Sequence, residues 1–237
     1  MPLICVPVTE KTAGAVKERM REAADWDCEA VEWRADAFEG IGDPSLVRDL
    51  LRRIIPLLSE KILIFTIRTS SDGGHLDMDR GDYFALCKAA DECGCDMVDV
   101  EFNAGEDDVT AFIREKHSSR VIVSYHDFEK TPPEDEMRSL MRAMVRTGAD
   151  AVKLAVMPRK EADADSLMDA VRRMHEEYAD IPFIAMSMGE TGRKSRYLCE
   201  RFGSSLTFAA VGEGSAPGQL PLSVLRGKLL EVHAGKL

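Results

Sequence analysis

A lysine in the middle of an apolar run is the residue of this chain that promises the most chemistry. The segment Ala151-Val152-Lys153-Leu154-Ala155-Val156-Met157 has the length and composition of a buried strand, and lysine is almost never fully buried without a partner. Desolvation and nearby positive charge both disfavour the ammonium form. With an ordinary pKa, only about one lysine in 2,500 is a free amine at pH 7, whereas a pKa of ~7–8 frees roughly a tenth to a half. That is the condition for a lysine that adds to a carbonyl and forms a Schiff base. A lysine snorkelling from a strand end, or one held in a structural ion pair, fits the same run, so the neighbouring strands must decide.

They carry ionisable groups at corresponding places. One strand-like run ends Glu32-Trp33-Arg34-Ala35-Asp36, the next ends Thr66-Ile67-Arg68-Thr69, a third carries Asp99-Val100-Glu101, and a fourth ends Ser124-Tyr125-His126-Asp127. Strict alternation puts Glu32, Arg34 and Asp36 on one face, and Asp99 and Glu101 on one face. Any single such residue is satisfied by a structural ion pair or a core histidine. Structural pairing does not require ionisable groups at one rim on five consecutive strands.

The elements that would position these groups alternate along the chain. Strand-like runs at Leu3–Val8, Ala30–Asp36, Ile62–Arg68, Asp96–Phe102, Arg120–Phe128, Ala151–Met157, Pro182–Met188 and Leu206–Val211 are separated by amphipathic stretches. Those stretches predict helices over about 11–25, 44–55, 79–93, 107–117, 133–147, 162–178, 193–202 and 221–233. Asp43-Pro44 and Thr131-Pro132-Pro133 read as helix starts, and Gly148 as a helix stop. Unbroken alternation implies a parallel sheet with helical crossovers. Eight such units in 237 residues fit one domain, 1–237, folded as a single (β/α)8 TIM barrel with a closed eight-stranded parallel sheet. An open doubly wound sheet is disfavoured, because no GxGxxG follows the first strand. In a barrel the catalytic groups collect at the carboxyl ends of the strands, where the polar residues above lie.

Composition narrows the partners. A formal net charge of −11 argues against nucleic acid or an anionic membrane as the main partner. The apolar runs are strand-sized, well short of the ~20 residues of a membrane span, and the amino terminus shows no secretory signal pattern. The six cysteines match no zinc spacing, and Cys93-Gly94-Cys95 lacks the usual two-residue gap, so they read as reduced thiols of a cytoplasmic protein. No HxH pair supports metal-dependent hydrolysis, and no metal or cofactor is expected.

Taken in order, Glu32-Trp33-Arg34-Ala35-Asp36, Phe65-Thr66-Ile67-Arg68-Thr69, Ser124-Tyr125-His126-Asp127-Phe128, Val152-Lys153-Leu154-Ala155, Met186-Ser187-Met188-Gly189, Gly192-Arg193-Lys194-Ser195-Arg196 and Gly214-Ser215-Ala216-Pro217-Gly218-Gln219 resemble the motifs of type I 3-dehydroquinate dehydratases across nearly the whole chain. The resemblance implies dehydration of 3-dehydroquinate to 3-dehydroshikimate, the third step of the shikimate pathway to aromatic amino acids, through an imine. It makes Lys153 the residue that attacks the C3 ketone and His126 the general base and acid. It assigns Glu32 and Arg34 to ring hydroxyls, Arg68 to the same polar shell with a charge that keeps Lys153 neutral, and Arg196 to the substrate carboxylate. Ser215 and Gln219 fall in a loop that closes over substrate, Met186 and Met188 supply apolar packing around the imine, and Glu101 supports the site. It also implies a homodimer.

Two positions depart from the pattern. Asp72 stands where the family often has a glutamate that orients the histidine, and the side chain is one methylene shorter, so the expectation is a pairing bridged by water or by another carboxylate. Val6-Pro7 replaces a serine that touches substrate in some relatives, and little chain precedes the first strand to cover the barrel floor. The nearest rival is a class I Schiff-base aldolase, which shares the sixth-strand lysine but mostly binds phosphate through glycine-rich backbone. Arg196 and Gln219 suit a carboxylate and hydroxyls better. A barrel that only binds a ligand would not need both Lys153 and His126.

Overall fold

The apolar runs form parallel strands and the amphipathic stretches form the helices between them. The computed structural model describes residues 1–212 and 214–237. In chain order the strands are β1 (Leu3–Val8), β2 (Ala30–Arg34), β3 (Ile62–Thr66), β4 (Met97–Glu101), β5 (Arg120–Asp127), β6 (Ala151–Val156), β7 (Phe183–Ser187), β8 (Leu206–Ala210) and β9 (Leu220–Pro221). The helices are α1 (Ala13–Ala23), α2 (Pro44–Ile54), α3 (Arg80–Cys93), α4 (Glu106–Glu115), α5 (Glu134–Arg146), α6 (Glu161–Glu177), α7 (Cys199–Phe202) and α8 (Leu222–His233). Asp43 caps α2 by accepting from the Ser45 N–H, with Pro44 in the first turn, and Gly148 adopts a φ of +90° just after α5, as the sequence predicts.

The strands form one curled parallel sheet of nine strands in the order β7-β6-β5-β4-β3-β2-β1-β8-β9. This differs from the predicted closed eight-stranded sheet in two respects. A short ninth strand, Leu220–Pro221, pairs with β8; a two-residue strand has no periodicity for sequence reasoning to detect. The seam between β7 and β8 holds no continuous ladder. It is carried by the bridge Phe183–Ser204, by the Ser205 N–H donating to the Phe183 carbonyl at 2.7 Å, and by the Ala185 N–H donating to Ser204 Oγ at 3.0 Å. The predicted helix over 193–202 is also broken, into a 3-10 turn at Arg193–Arg196 and the four-residue α7.

Period-two alternation sorts each strand into two faces. Outward residues such as Val31, Trp33, Val123 and Val152 pack with Met141 and Leu167 of the helices in the larger apolar cluster. Inward residues form a separate cluster that includes Cys5, Ala30, Ile64, Ile122, Ala151 and Ile184. The residues just named lie toward the amino ends of their strands and the inward charged ones toward the carboxyl ends, where Ala155, Met186 and Met188 of the same cluster join them, so the sheet interior has a dry floor and a charged upper layer edged by apolar side chains.

One buried carboxylate fixes the start of the strand that carries His126. Asp91, near the end of α3, accepts from the backbone N–H groups of His117, Ser118 and Ser119 at 2.6, 3.0 and 2.9 Å, immediately ahead of β5. Asp91→Ala would leave three donors without this acceptor. The expected loss is about 3 kcal/mol, estimated from hydrogen bonds to a charged group, read as a lower urea midpoint with unchanged slope.

Candidate active site

The upper layer of the sheet interior is a chain of alternating charges. Lys153 Nζ lies 2.9 Å from Asp99 Oδ2 and 3.4 Å from Glu32 Oε1. Asp99 Oδ1 accepts from Arg68 Nη2 at 2.8 Å and from Ser124 Oγ at 2.6 Å, and Thr66 Oγ1 donates to Glu32 Oε1 at 2.9 Å. Arg68 Nη1 reaches Glu101 Oε1 at 3.0 Å, Ser124 Oγ at 3.0 Å and Asp72 Oδ2 at 3.4 Å. All of these side chains are buried. Burial works against the ionised form of Asp99, but Arg68 and then Lys153 outweigh it and hold the carboxyl far below the usual range.

The arrangement around Lys153 corrects one expectation. Arg68 does not act as an isolated positive charge against the lysine, because Asp99 stands between them on Nη2 and Glu101 and Asp72 share its Nη1. Two carboxylates contact Nζ, and the Phe208 ring lies beside it, 4.6 Å from nitrogen to ring centroid. The lysine is held as one member of an ion-pair network that leaves it open to a cavity on one side.

His126 corrects a second expectation. Its Nδ1 lies 2.9 Å from Asp72 Oδ2, a direct contact with no water or second carboxylate between them. Asp72 follows Arg68 through a 3-10 turn (Ser70–Asp72) that carries the side chain up to the histidine and ends at Gly73 in the left-handed region, so the backbone supplies the reach the missing methylene would have given. Burial first, then Arg68 and Lys153, hold the imidazole well below its ordinary pKa and hence neutral near pH 7. Burial pushes the Asp72 carboxyl up to about 7 against the opposing pull of Arg68. The His126 ring stacks on Phe128 with centroids 6.2 Å apart.

These groups open into a cavity of about 590 Å³. Lys153, His126, Glu32, Arg34 and Arg68 line one side, and Arg196, Ser215, Gln219, Met186 and Met188 also line it. Asp72 and Glu101 stand behind the lining. Arg34 is held by a bidentate pair with Asp36, at 2.9 and 2.8 Å, and Asp36 also accepts the Arg68 backbone N–H at 3.0 Å. Arg196 is buried, donates to the Pro217 carbonyl at 2.9 Å, and has no acidic partner among the described residues. Burial, then the nearby Arg193, lower its pKa to about 10, so it stays a cation near neutral pH.

The loop after β8 is fastened beside Arg196. Gln219 Oε1 accepts from the Ser215 N–H at 2.8 Å, Gln219 Nε2 donates to Ser215 Oγ at 3.1 Å, and the Gly189 N–H donates to the Pro217 carbonyl at 3.2 Å. Gly218 has a φ of +79°, and a Cβ there would run into the Gly189 carbonyl. Its closest backbone approach therefore needs glycine.

A constellation of lysine, ion-paired carboxylates, a carboxylate–histidine pair and a buried guanidinium can be compared with known proteins as a unit. Residues 4–235 match the sequence model of a family described as Type I 3-dehydroquinase. The chain belongs to that family. It is 40% identical over 236 residues to the 3-dehydroquinate dehydratase of Bacillus subtilis strain 168, covering 98% of this chain and 92% of that protein. It is likewise 40% identical over 235 residues to the enzyme of that name from Salmonella paratyphi B, covering 98% and 93%. The fold superposes with a TM-score of 0.93 on the type I 3-dehydroquinate dehydratase of Clostridium difficile, solved with a covalently modified comenic acid, at 36% identity and 99% and 93% coverage. The Geobacillus kaustophilus 3-dehydroquinate dehydratase gives the same TM-score at 33% identity, covering 99% and 92%.

Membership of the type I 3-dehydroquinases makes the chain a hydro-lyase. Its geometry also names residues that sequence reasoning passed over. Asp99 is the closest carboxylate to Lys153, and its signal was visible in the Asp99/Glu101 alternation, which places both on the lysine's side of the sheet. Asp36 shares a face with Arg34 by the same rule. Thr66 and Ser124 are inward neighbours in register, Thr66 opposite Asp99 and Ser124 opposite Lys153, a relation that needs the strand pairing. Asn103, which donates to Asp72 Oδ1 at 2.6 Å, had no sequence signal.

Asp72 gives a pH signature of stability. An unfolded aspartate has a pKa near 3.9, whereas the native carboxyl titrates at about 7. Between about pH 4 and 7 the native chain therefore keeps a proton that the unfolded chain has lost, and stability falls as pH rises through that window. Asp72→Asn removes this contribution. Urea unfolding at intervals across the window should show the wild type losing stability relative to Asp72→Asn toward pH 7; parallel curves would exclude the raised carboxyl.

Proposed function

We propose that the chain dehydrates 3-dehydroquinate to 3-dehydroshikimate through a Schiff base on Lys153, the third step of the shikimate pathway that leads to aromatic amino acids. The observation that carries this reading is the cavity itself: Lys153 and His126 open into the same space as Arg196, a buried cation with no acidic partner among the described residues. An aldolase acting on a phosphorylated substrate would call for a backbone phosphate cradle. A buried guanidinium with no acidic partner among the described residues, and with Ser215 and Gln219 lining the same cavity, fits the carboxylate and hydroxyls of a quinate ring.

In this reading Arg196 takes the carboxylate, and Glu32 and Arg34 hold ring hydroxyls. Lys153 first gives its ammonium proton to the neutral His126; the free amine adds to C3, and the carbinolamine hydroxyl takes that proton back and leaves as water, so that an iminium forms. Positive charge then resides on a nitrogen whose counter-ions are already in place, Asp99 at 2.9 Å and Glu32 at 3.4 Å. Fixed charges of this kind require no reorganisation as the charge persists. The iminium acidifies C2–H. His126 is neutral and directs Nδ1 toward Asp72, which leaves Nε2 to remove that proton. The electron pair moves into the ring enamine and expels the C1 hydroxyl, which leaves as water with the proton returned by His126. Water then hydrolyses the product imine and frees Lys153. Met186, Met188 and Phe208 limit the water around the imine, and the Ser215–Gln219 loop closes over the ligand.

The same reading takes the curled sheet as a (β/α)8 TIM barrel whose eight strands close at the Phe183–Ser204 seam, with residues 1–237 as one catalytic domain. It takes the protein as a cytoplasmic homodimer that needs neither metal nor cofactor for this reaction. None of the helices among the described residues is long and apolar enough to cross a membrane.

Borohydride added with 3-dehydroquinate should trap a stable adduct on Lys153, located by intact mass and peptide mapping and absent in Lys153→Ala. Full turnover without an adduct would overturn the imine mechanism. Neither adduct nor 3-dehydroshikimate from folded protein would overturn the dehydratase reading. Arg196→Gln should raise KM about 100-fold, corresponding to ~3 kcal/mol from two lost charge-assisted hydrogen bonds. A KM unchanged in steady-state assays would remove Arg196 from carboxylate binding.

A further inference from the structure

The His126–Asp72 pair is assembled from the strand β5 and the turn Ser70–Asp72, and a second turn steers it. Asp72 Oδ2 faces His126 Nδ1 at 2.9 Å and Arg68 Nη1 at 3.4 Å. Its other oxygen, Oδ1, accepts from Asn103 Nδ2 at 2.6 Å. Asn103 belongs to the 3-10 turn Phe102–Ala104 that directly follows β4. The residue is exposed while Asp72 has no exposure of its own, so the amide stands on the solvent side of the carboxylate and His126 on the cavity side. The backbone beneath Asp72 is fixed as well, since Gly73 has a φ of +81° and a Cβ there would run into the Phe128 ring.

With the backbone fixed, the remaining freedom of a short aspartate is rotation of its carboxylate, and only one orientation gives Oδ2 to the imidazole. On the dehydratase reading, we propose that Asn103 is a positioning residue: its amide locks the Asp72 carboxylate so that Oδ2 stays on His126 Nδ1, and thereby sets the tautomer that presents Nε2 to the substrate. The charged surroundings of the pair are Arg68 from the end of β3, Asp99 and Glu101 from β4, and Tyr125 beside His126 on β5. Lys153 from β6 and Arg34 from β2 act on the imidazole from the cavity side. Within that set, the Asn103 amide donates to the ionised carboxylate and favours that form. Its removal should make Asp72 hold its proton to higher pH and free the imidazole to change tautomer.

The test compares wild type, Asn103→Leu and the double variant Asp72→Glu/Asn103→Leu by two measurements. In steady-state kinetics with 3-dehydroquinate, Asn103→Leu should lower kcat about tenfold with little change in KM and move the acidic limb of the kcat profile up by about one pH unit, as for loss of one hydrogen bond to a charged group. The longer glutamate should recover most of kcat in the double variant, because its extra methylene reaches the imidazole without the amide. The second measurement is ¹⁵N NMR of labelled histidine, assigned with His126→Gln, which reads the His126 tautomer without any turnover. Wild type should hold one tautomer with Nδ1 protonated, and Asn103→Leu should show a mixture. An unaltered tautomer and pH limb overturn the proposal. So does a fall in kcat with the limb unmoved and no recovery by glutamate, which would make Asn103 a packing residue only. If wild type forms no 3-dehydroshikimate, the dehydratase reading fails by itself, and the NMR comparison still decides whether Asn103 steers the pair.

Discussion

Asp99 is the point on which the site is built. It lies on β4 with Arg68 and Ser124 on one oxygen and Lys153 on the other, so one buried carboxylate joins the guanidinium of the third strand to the amine of the sixth. A buried ion pair gives little net stability, because desolvation of the charges offsets their attraction, yet loss of one partner costs about 3–5 kcal/mol. The network is therefore a device for position. It holds the Lys153 nitrogen at a fixed point beneath the cavity and leaves Arg68 no freedom to approach it.

Strand register makes that network achievable. Thr66 lies opposite Asp99, Glu101 opposite Ser124, and Ser124 opposite Lys153. A slip of one residue in any of these pairings would turn a charged side chain into the helix-packed outer cluster and an apolar one into the charged layer. The apolar alternation that holds Val98, Val100, Val121 and Val123 in the outer cluster therefore also aims Asp99, Glu101 and Ser124 inward. Packing on one face and chemistry on the other are two readings of the same pleat.

This explains what was legible in the sequence. The eight alternating units and the inward-facing Glu32, Lys153 and His126 follow from period-two patterning within single strands, and the structure brings them to one cavity. The partners of those residues do not follow, because they depend on neighbouring strands and on turns. The Asp99–Lys153 contact crosses two strand boundaries. The Asp72–His126 contact depends on a 3-10 turn and on Gly73, where counting side-chain carbons predicted a gap. The Asn103 amide comes from a second turn that no pattern ties to the first or to β5. The broken helix after Gly192 has a local cause: Ser195 Oγ bonds the Gly192 carbonyl at 2.8 Å and the Ser187 N–H at 2.9 Å, so a residue that patterning assigned to a helix surface is pinned instead to the end of β7.

That pinning sets the charge opposite the lysine. Arg196 lies one residue beyond Ser195, and its fixed position buries a guanidinium beside Met186 and under the Pro217 carbonyl. One backbone carbonyl satisfies part of its donor set, and its Nε has no partner among the described residues. Burying a cation so poorly matched is unfavourable by several kcal/mol, and an anion entering the cavity would relieve that penalty. The two sides of the site are thus built on opposite principles. Around Lys153 the charges are paired in advance, which in the proposed mechanism would let a cation persist on nitrogen. At Arg196 no counter-charge stands among the described residues, so in the proposed reaction the substrate carboxylate completes the pair, and a ligand without an anionic group would have no comparable gain from binding there.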